Sequence, residues 1–235
     1  MNTEDTLIIS CPTILTFDEA APRAEAVVVG GGVIRAVGTL EGARAFAPVG
    51  REIRLEEGAL LPGFIDSHSH LSLYAQCRSQ FYCDTAYGTV AKLTEAFRAY
   101  ADARPGEAWL LGYCYDDTGM GEPRHLTRHD LDAVCADRPV FVSHITSHMG
   151  YGNTEALRRL GITADLRVEG GSIALGEDGR PEGLLRENAY FEAFRKIPAC
   201  PPESLPGAIE RAVADYNRAG FTAFQDGGIG LGPGA

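Results

Sequence analysis

Short apolar stretches separated by turn signals fill the first quarter of the chain. Runs such as Leu7–Ile9, Thr13–Thr16 and Ala26–Val29 have the length and composition of strands. The three glycines at 30–32 stand between two such runs, at a place where a hairpin turn needs positive φ. Apolar periodicity of helix length is absent in this part of the sequence. The pattern therefore predicts an all-β region over 6–61 with about five strands.

Beyond this region the apolar spacing predicts helices as well as strands. The predicted helices are 89–103, 127–134 with Thr127 as N-cap, 154–160 with Asn153 as N-cap, and 204–219. The predicted strands are 109–111, 139–144 and 221–226, with a hairpin over 171–185 that turns at Asp178-Gly179. Between 75 and 200 these elements show no regular alternation of strand and helix, which indicates an insertion.

A further predicted strand, 59–66, leads to two histidines separated by one residue, His68 and His70. Residues i and i+2 of a strand project from the same face, so both imidazoles can point at one spot. Two converging imidazoles at the end of a strand can bind a divalent metal, and zinc is the metal that we expect. The alternative is a pair of histidines on a solvated strand face.

Charge and cysteine usage narrow the functional class. The 235 residues include 21 Lys and Arg against 32 Asp and Glu, giving a net charge of −11, so neither nucleic acid nor a membrane is an expected partner. The N-terminus lacks signal-peptide features and no apolar run approaches the roughly 20 residues of a spanning helix, which favours a cytoplasmic location. The six irregularly spaced cysteines are interpreted as reduced thiols, with Cys77 and Cys83 as candidates for lining a site.

The segment Pro62–His70 resembles the first barrel strand of the amidohydrolase superfamily, metal-dependent hydrolases built on a (β/α)8 barrel. Further segments resemble its amidohydrolase-3 branch, which includes N-substituted formamide deformylase and YtcJ-like relatives. These segments are Trp109–Thr118, Leu126–Val134, Arg138–Val142, Ser147–Gly150, Asn153–Leu157 and Gly183–Asn188. The resemblance covers nearly all of the chain, with one departure at Thr146-Ser147-His148, where the family has glycine at the second position.

The resemblance implies an α/β fold class: a partial (β/α)8 barrel of a metal-dependent hydrolase, preceded by a small β-sandwich and carrying a mixed α/β insertion. The expected domains are a β-sandwich portion (1–61), a first barrel strand with its metal-binding loop (62–74), an inserted lid subdomain (75–200) and a barrel helix and strand (201–235). A complete barrel needs about 250 residues, so we expect an N-terminal segment of a longer enzyme. A complete domain of another fold is the alternative.

His68 and His70 are the predicted metal ligands. The resemblance also implies a lysine, two further histidines and a catalytic aspartate, none of which has a matching position here. No catalytic residue is therefore assigned, and the general base is expected beyond residue 235. Asp66, two residues before His68, either hydrogen-bonds a ligand imidazole or bonds nearby backbone.

Four residues are predicted to contact a substrate: His148, Tyr113, Asp116 and Glu187. His148 follows a predicted strand, in a loop of the insertion, and the alternative is a loop histidine that bonds backbone. Tyr113 and Asp116 stand with Asp117 in a segment that forms either a pocket wall or a turn of paired carboxylates. Glu187 either faces the site or belongs to a surface ion pair.

Together these features predict hydrolysis of C–N bonds other than peptide bonds, for example in an N-substituted formamide, by water that a divalent metal activates. The expected partner is a small-molecule substrate, and the prediction leaves room for a homodimer. The chain by itself is expected to be inactive and to fold poorly. Two alternatives remain: a non-catalytic binding domain that retains the fold, and a deaminase or cyclic amidohydrolase of the same superfamily.

Overall fold

Two compact units make up the computed structural model, which describes residues 6–199 and 201–229. The first unit consists of the described residues up to Ile65 together with Gly220–Ala223. The second consists of Asp66–Ala219 together with the described residues from Phe224 onward. Cys200 lies outside the described residues. None of the described helices has the length and apolar character that crossing a bilayer requires.

The first unit is a four-stranded sheet covered by one helix. Its elements are β1 (Thr6–Leu15), β2 (Arg23–Gly30), β3 (Val33–Gly38), α1 (Leu40–Phe46) and β4 (Arg51–Arg54). The strand order is β3-β2-β1-β4, with β1 antiparallel to β2 and parallel to β4. Side chains alternate between the faces of a strand, and Ile8 and Val28 point to the face where they pack with Ala43 of α1.

The glycine hairpin is confirmed, whereas the expected element content of this unit is wrong. Gly31 and Gly32 have φ of 60° and 74° between β2 and β3, as a tight hairpin turn requires. Instead of about five strands and no helix, residues 6–61 form four strands and α1. Thr39 caps this helix by accepting the N–H of Gly42 at 3.1 Å. Two turns of helix are too short to give a periodic apolar signal. Two facing sheets are not found among the described residues of this unit, so the β-sandwich remains a prediction.

The second unit contains a six-stranded sheet and several helices. Its elements, with the two strands that begin in the first unit, are β5 (Phe64–Ser69), α2 (Leu71–Cys77), β6 (Phe81–Tyr82), α3 (Val90–Asp102), β7 (Leu110–Tyr115), α4 (Arg128–Asp132), β8 (Val140–His144), β9 (Met149–Gly152), α5 (Thr154–Leu160), β10 (Gly171–Leu175), β11 (Pro181–Glu187), α6 (Asn188–Lys196), α7 (Leu205–Arg218) and β12 (Phe221–Asp226). The sheet order is β10-β11-β9-β8-β7-β6, with β6, β7 and β8 parallel and the remaining neighbours antiparallel.

Helices cover both faces of this sheet. Val140 and Val142 of β8 belong to a core that includes Phe97 of α3, whereas Phe141 between them belongs to a core with Leu157 of α5 and residues of α6. This alternation along one strand shows that both faces of the sheet are buried. A strand buried on both faces explains why residues 139–142 form a continuous apolar run rather than an alternating one.

Strands β5 and β12 form a separate two-stranded sheet. The N–H of Phe64 bonds the carbonyl of Gly220 at 2.8 Å, and the N–H of Gly227 bonds the carbonyl of Ser69 at 2.9 Å, so the two strands run in parallel. Helices α2 and α7 pack on each other through a small apolar core of Leu71, Ala75, Ala208 and Ala212. Parallel strands with packed helices are the kind of element that the expected barrel would contain, and the barrel itself stays a prediction.

The predicted strand 59–66 is wrong in position. Leu60 pairs with the end of β1, where its N–H bonds the carbonyl of Thr13 at 2.8 Å, and β5 begins only at Phe64 after Pro62-Gly63. The strand geometry expected of the two histidines applies to only one of them. His68 lies in β5, but His70 follows the end of the strand and stands at the N-cap position of α2.

Candidate metal centre

The turn from β5 into α2 brings the predicted pair of histidines together. Ser69 and Leu71, on either side of His70, are both buried, and they fix the backbone where the strand ends and the helix begins. The imidazole rings of His68 and His70 lie with their centres 5.2 Å apart and their planes at 84°. The two imidazoles thus converge as expected, but they do so because His68 lies near the end of a strand and His70 occupies the N-cap of the following helix.

The ring of His70 has a buried nitrogen, Nδ1, for which the described residues, 6–199 and 201–229, provide no hydrogen-bond partner. Buried polar atoms are nearly always paired, because an unpaired one costs about 1–3 kcal/mol. Metal–nitrogen bonds of about 2.0–2.1 Å with a tetrahedral angle place two imidazole centres roughly 5 Å apart, close to the observed spacing. The two histidines therefore fit a divalent metal.

Asp66 lies at the other end of this segment. Its Oδ1 accepts the backbone N–H of His68 at 3.2 Å. The sequence allows two roles for Asp66, a hydrogen bond to a ligand imidazole or a hydrogen bond to nearby backbone. The observed contact is the second of these. It restrains the strand just before the histidines, and a role of the Asp66 carboxylate toward an imidazole stays a prediction.

The sequence reasoning missed the segment that follows β12. Gly227 lies so close to both rings that a Cβ there would stand 3.2 Å from His68 Cε1 and 3.7 Å from His70 Cε1. The Asp226 carboxylate accepts the N–H groups of Ser72 and Gly228 at 3.0 and 2.9 Å. Burial raises the pKa of Asp226, but these N–H donors outweigh it and bring that pKa below its usual value. A carboxylate at the end of a parallel strand, followed by two glycines, was the available signal.

A cavity of about 200 Å³ opens beside His70. Its wall is mainly apolar and aromatic, and includes Tyr74, Tyr113, Cys114 and Tyr190. Tyr113 is thus the one predicted substrate-contact residue that lines this cavity within the described residues. Burial raises the pKa of Tyr113 well above its usual range, so the phenol keeps its proton at neutral pH.

The two cysteines proposed as site-lining residues differ in position. Cys77 lines the cavity, whereas Cys83 is packed in the core beneath the six-stranded sheet. Burial, and secondarily the neighbouring Cys114, raise the pKa of the Cys77 thiol to about 12. At neutral pH Cys77 is therefore a neutral, apolar part of the wall rather than a nucleophile.

His148 and Glu187 form a pair near this cavity. His148 Nδ1 lies 3.0 Å from Glu187 Oε2, both side chains are exposed, and the N–H of Glu187 bonds the carbonyl of His148 at 2.8 Å. Ser147, which lines the cavity, and Glu187 have φ of 56° and 51°, unusual values for residues other than glycine. Strained backbone positions of this kind persist only where the surrounding structure holds them, and in proteins they are found mostly at functional sites.

Asp116 is held in a hydrogen-bonded turn and is not among the lining residues of the cavity, although His144 of the same polar group lines it beside His70. One carboxylate oxygen of Asp116 lies within 4.8 Å of a carboxylate oxygen of Asp117 and of a ring nitrogen of His144, and these three atoms are of types that can bind a metal. Asp117 Oδ1 lies 2.8 Å from His144 Nε2, while Asp116 Oδ1 accepts the hydroxyl of Thr118 at 2.7 Å. The Thr118 hydroxyl holds the pKa of Asp116 below its usual value. These polar atoms already have protein partners, in contrast to His70.

Comparison with solved structures identifies proteins of similar fold. A crystal structure of an uncharacterized metal-dependent hydrolase from Pyrococcus furiosus matches with a TM-score of 0.61 and 22% identity, over 93% of this chain and 43% of that one. A corresponding hydrolase from Pyrococcus horikoshii OT3 matches with a TM-score of 0.57 and 20% identity, over 93% and 42%. The chain therefore shares its fold with the matched part of these two structures.

Sequence comparison defines the family. The sequence model of the amidohydrolase family matches residues 51–233, and the chain belongs to that family. It is 31% identical to YtcJ of Bacillus subtilis (strain 168), over 89% of this chain and 40% of YtcJ. It is 33% identical to the N-substituted formamide deformylase of Arthrobacter pascens, over 79% of this chain and 34% of that enzyme. The chain thus spans less than half the length of these curated relatives, and the resemblance expected from the sequence is confirmed.

Proposed function

We propose that this protein is a metal-dependent hydrolase of C–N bonds other than peptide bonds. The observation that carries the proposal is the converging pair of His68 and His70, with a buried His70 nitrogen that no described residue satisfies. A cavity of about 200 Å³ beside His70 offers room for the group to be hydrolysed. Membership of the amidohydrolase family supports hydrolase chemistry in general.

His68 and His70 would hold the metal, which we propose to be zinc because two imidazole nitrogens suit it. When bound, such a metal lowers the pKa of water and polarises a carbonyl group. The protein's own part is to exclude bulk water and orient the substrate through the cavity wall. Tyr113 keeps its proton there and can donate a hydrogen bond, while the exposed His148–Glu187 pair offers polar contacts beside Ser147.

The apolar cavity favours an amide with an apolar substituent. Tyr74, Tyr113 and Tyr190 supply aromatic surface and Cys77 is neutral, and the described wall includes no Asp, Glu, Lys or Arg side chain. One relative in sequence is an N-substituted formamide deformylase, which supports an N-substituted formamide as one such amide. Deamination and opening of a cyclic amide use the same metal chemistry, and they are outcomes that a substrate panel can separate.

Two imidazoles do not complete a zinc site, which needs at least three protein ligands. The relatives are longer than the matched region, since it covers 40% of YtcJ and 34% of the deformylase. We propose that the remaining ligands and an aspartate acting as general base lie beyond residue 235, so that the 235-residue chain alone does not hydrolyse amides.

The test uses the intact gene product purified in the presence of zinc. Zinc content and release of amine from an N-alkylformamide are measured for the wild type and for the double variant His68→Ala with His70→Ala. We expect the double variant to lose both zinc and turnover to background. The control is His129→Ala, which replaces an exposed histidine on α4 and should keep both. A double variant that still binds zinc and releases amine would contradict the proposal.

A further inference from the structure

Helix α2 begins without a cap from its own neighbourhood. His70 occupies the N-cap position with φ of −135° and ψ of 58°, and its side chain makes no capping hydrogen bond. The first N–H groups of a helix have no acceptor within the helix and need one from elsewhere. Asp226, 154 residues away in sequence, provides it: its Oδ2 accepts the N–H of Ser72 at 3.0 Å.

The same aspartate also fixes its own loop. Asp226 Oδ1 accepts the N–H of Gly228 at 2.9 Å, which folds the chain back just after β12. Between them, the N–H of Gly227 bonds the carbonyl of Ser69 at 2.9 Å. Three hydrogen bonds therefore hold the segment 226–228, two of them to the backbone on either side of His70.

The backbone at Gly227 therefore lies close to both imidazole rings. A Cβ on Gly227 would come within 3.2 Å of His68 Cε1 and 3.4 Å of His68 Nδ1, tighter than an ordinary van der Waals contact for the closer of the two. The ring of His70 lies at 3.7 Å from the same point. The position of the segment 226–228 thus limits the directions in which both rings can turn.

We propose that Asp226 is a positioning residue for the metal-binding histidines, acting through the Ser72 N–H and through Gly227. This inference rests on the proposed function. Among the described residues, the Asp226 carboxylate does not fall with the two imidazoles in a group of ligand atoms within 4.8 Å of one another, and both its oxygens accept backbone N–H groups, which is the arrangement of a residue that positions the ligands. Residues that orient metal ligands in this way typically change metal affinity by about 10–100-fold when they are replaced.

The test compares three variants of the intact gene product by zinc affinity and by the visible absorption spectrum of its cobalt(II) form. Cobalt(II) absorption depends on ligand geometry and reports the site without requiring turnover. In Asp226→Asn the amide keeps one acceptor and loses the other. We expect zinc affinity to fall about 10–100-fold and the cobalt bands to change in position or intensity.

Asp215→Asn is the matched control. Asp215 holds the same helix at its other end, where it accepts the hydroxyl of Tyr74 at 3.0 Å and pairs with Arg78. This variant should lower the thermal midpoint but leave the cobalt spectrum unchanged. A lowered midpoint with a wild-type spectrum is the signature of a purely structural aspartate.

Gly227→Ala is the complementary variant, because it keeps the hydrogen bonds of Asp226 and crowds the two rings. We expect an altered cobalt spectrum, and this variant decides the question if Asp226→Asn does not fold. A wild-type spectrum and affinity in Asp226→Asn, or a wild-type spectrum in Gly227→Ala when the former is unfolded, would overturn the inference. A wild-type protein that binds neither metal would instead contradict the proposed function.

Discussion

Asn153 and His70 are two polar residues of the second unit, and they differ in how many hydrogen-bond partners the fold gives their buried side-chain atoms. The Asn153 side chain is fully buried, and its oxygen accepts two backbone N–H groups while its nitrogen donates to two backbone carbonyls, all within 3.0 Å. For His70, the part of the chain that the structure describes offers Nδ1 no partner. All four hydrogen bonds that the Asn153 amide can form are made within the fold, whereas His70 Nδ1 has no partner among the described residues.

This difference separates a structural polar residue from a functional one. Each buried polar atom left unpaired costs about 1–3 kcal/mol, so a fold without another purpose for His70 would gain by satisfying or replacing it. Natural proteins retain such costs mainly where activity requires them. The comparison therefore predicts opposite effects on stability when the two residues are made apolar.

The largest expected effect is in Asn153→Ala. The substitution leaves two N–H groups and two carbonyls without their partner and removes the N-cap of α5, so we expect the free energy of unfolding to fall by about 3 kcal/mol. Urea denaturation of the intact protein measures it. Asn188→Ala, which loses one exposed hydrogen bond to the carbonyl of Glu169, is the control and should cost less than about 1 kcal/mol. If Asn153→Ala and Asn188→Ala lose equal amounts of stability, the claim that the Asn153 hydrogen bonds stabilise the fold is contradicted.

His70→Leu should have the opposite sign in the metal-free protein. Removing a buried nitrogen without a partner relieves its desolvation cost, so we expect the free energy of unfolding to rise by about 1 kcal/mol in the presence of a chelator. With zinc added, the wild type should gain stability and the variant should not, because ligand binding to the native state stabilises it. His129→Leu on the exposed face of α4 serves as the control for a change of histidine to leucine. A chelated His70→Leu protein that is less stable than the wild type would show that His70 supports the fold.

The sequence was a good guide wherever local signals fix the structure. Helix α5 runs from Thr154 to Leu160, capped by Asn153 and ended by Gly161, and strand β12 spans 221–226, both as predicted. The predicted N-cap of α4, Thr127, is also present, and it forms a capping box in which Thr127 and Asp130 bond each other reciprocally. In each case the decisive contacts lie within a few residues, so that spacing alone identifies them.

Features that depend on distant contacts could not be predicted in this way. The run 59–61 was assigned to the strand of the histidines, but Leu60 bonds Thr13 across the chain, and β5 starts later. The contact of Asp226 with Ser72 spans 154 residues and has no counterpart in local pattern. The short helix α2 was missed because its two turns give too little periodicity. The paired histidines were found by their spacing, but what surrounds them came from the fold.

The central claim is that His68 and His70 hold a metal, and X-ray absorption at the zinc edge of the zinc-loaded intact protein tests it most directly. We predict nitrogen scattering at about 2.0–2.1 Å with the outer-shell pattern of at least two imidazoles. In the double variant His68→Ala with His70→Ala, zinc should be lost or the imidazole pattern reduced by two. A zinc environment without imidazole in the wild type, or an unchanged pattern in the double variant, would contradict the account.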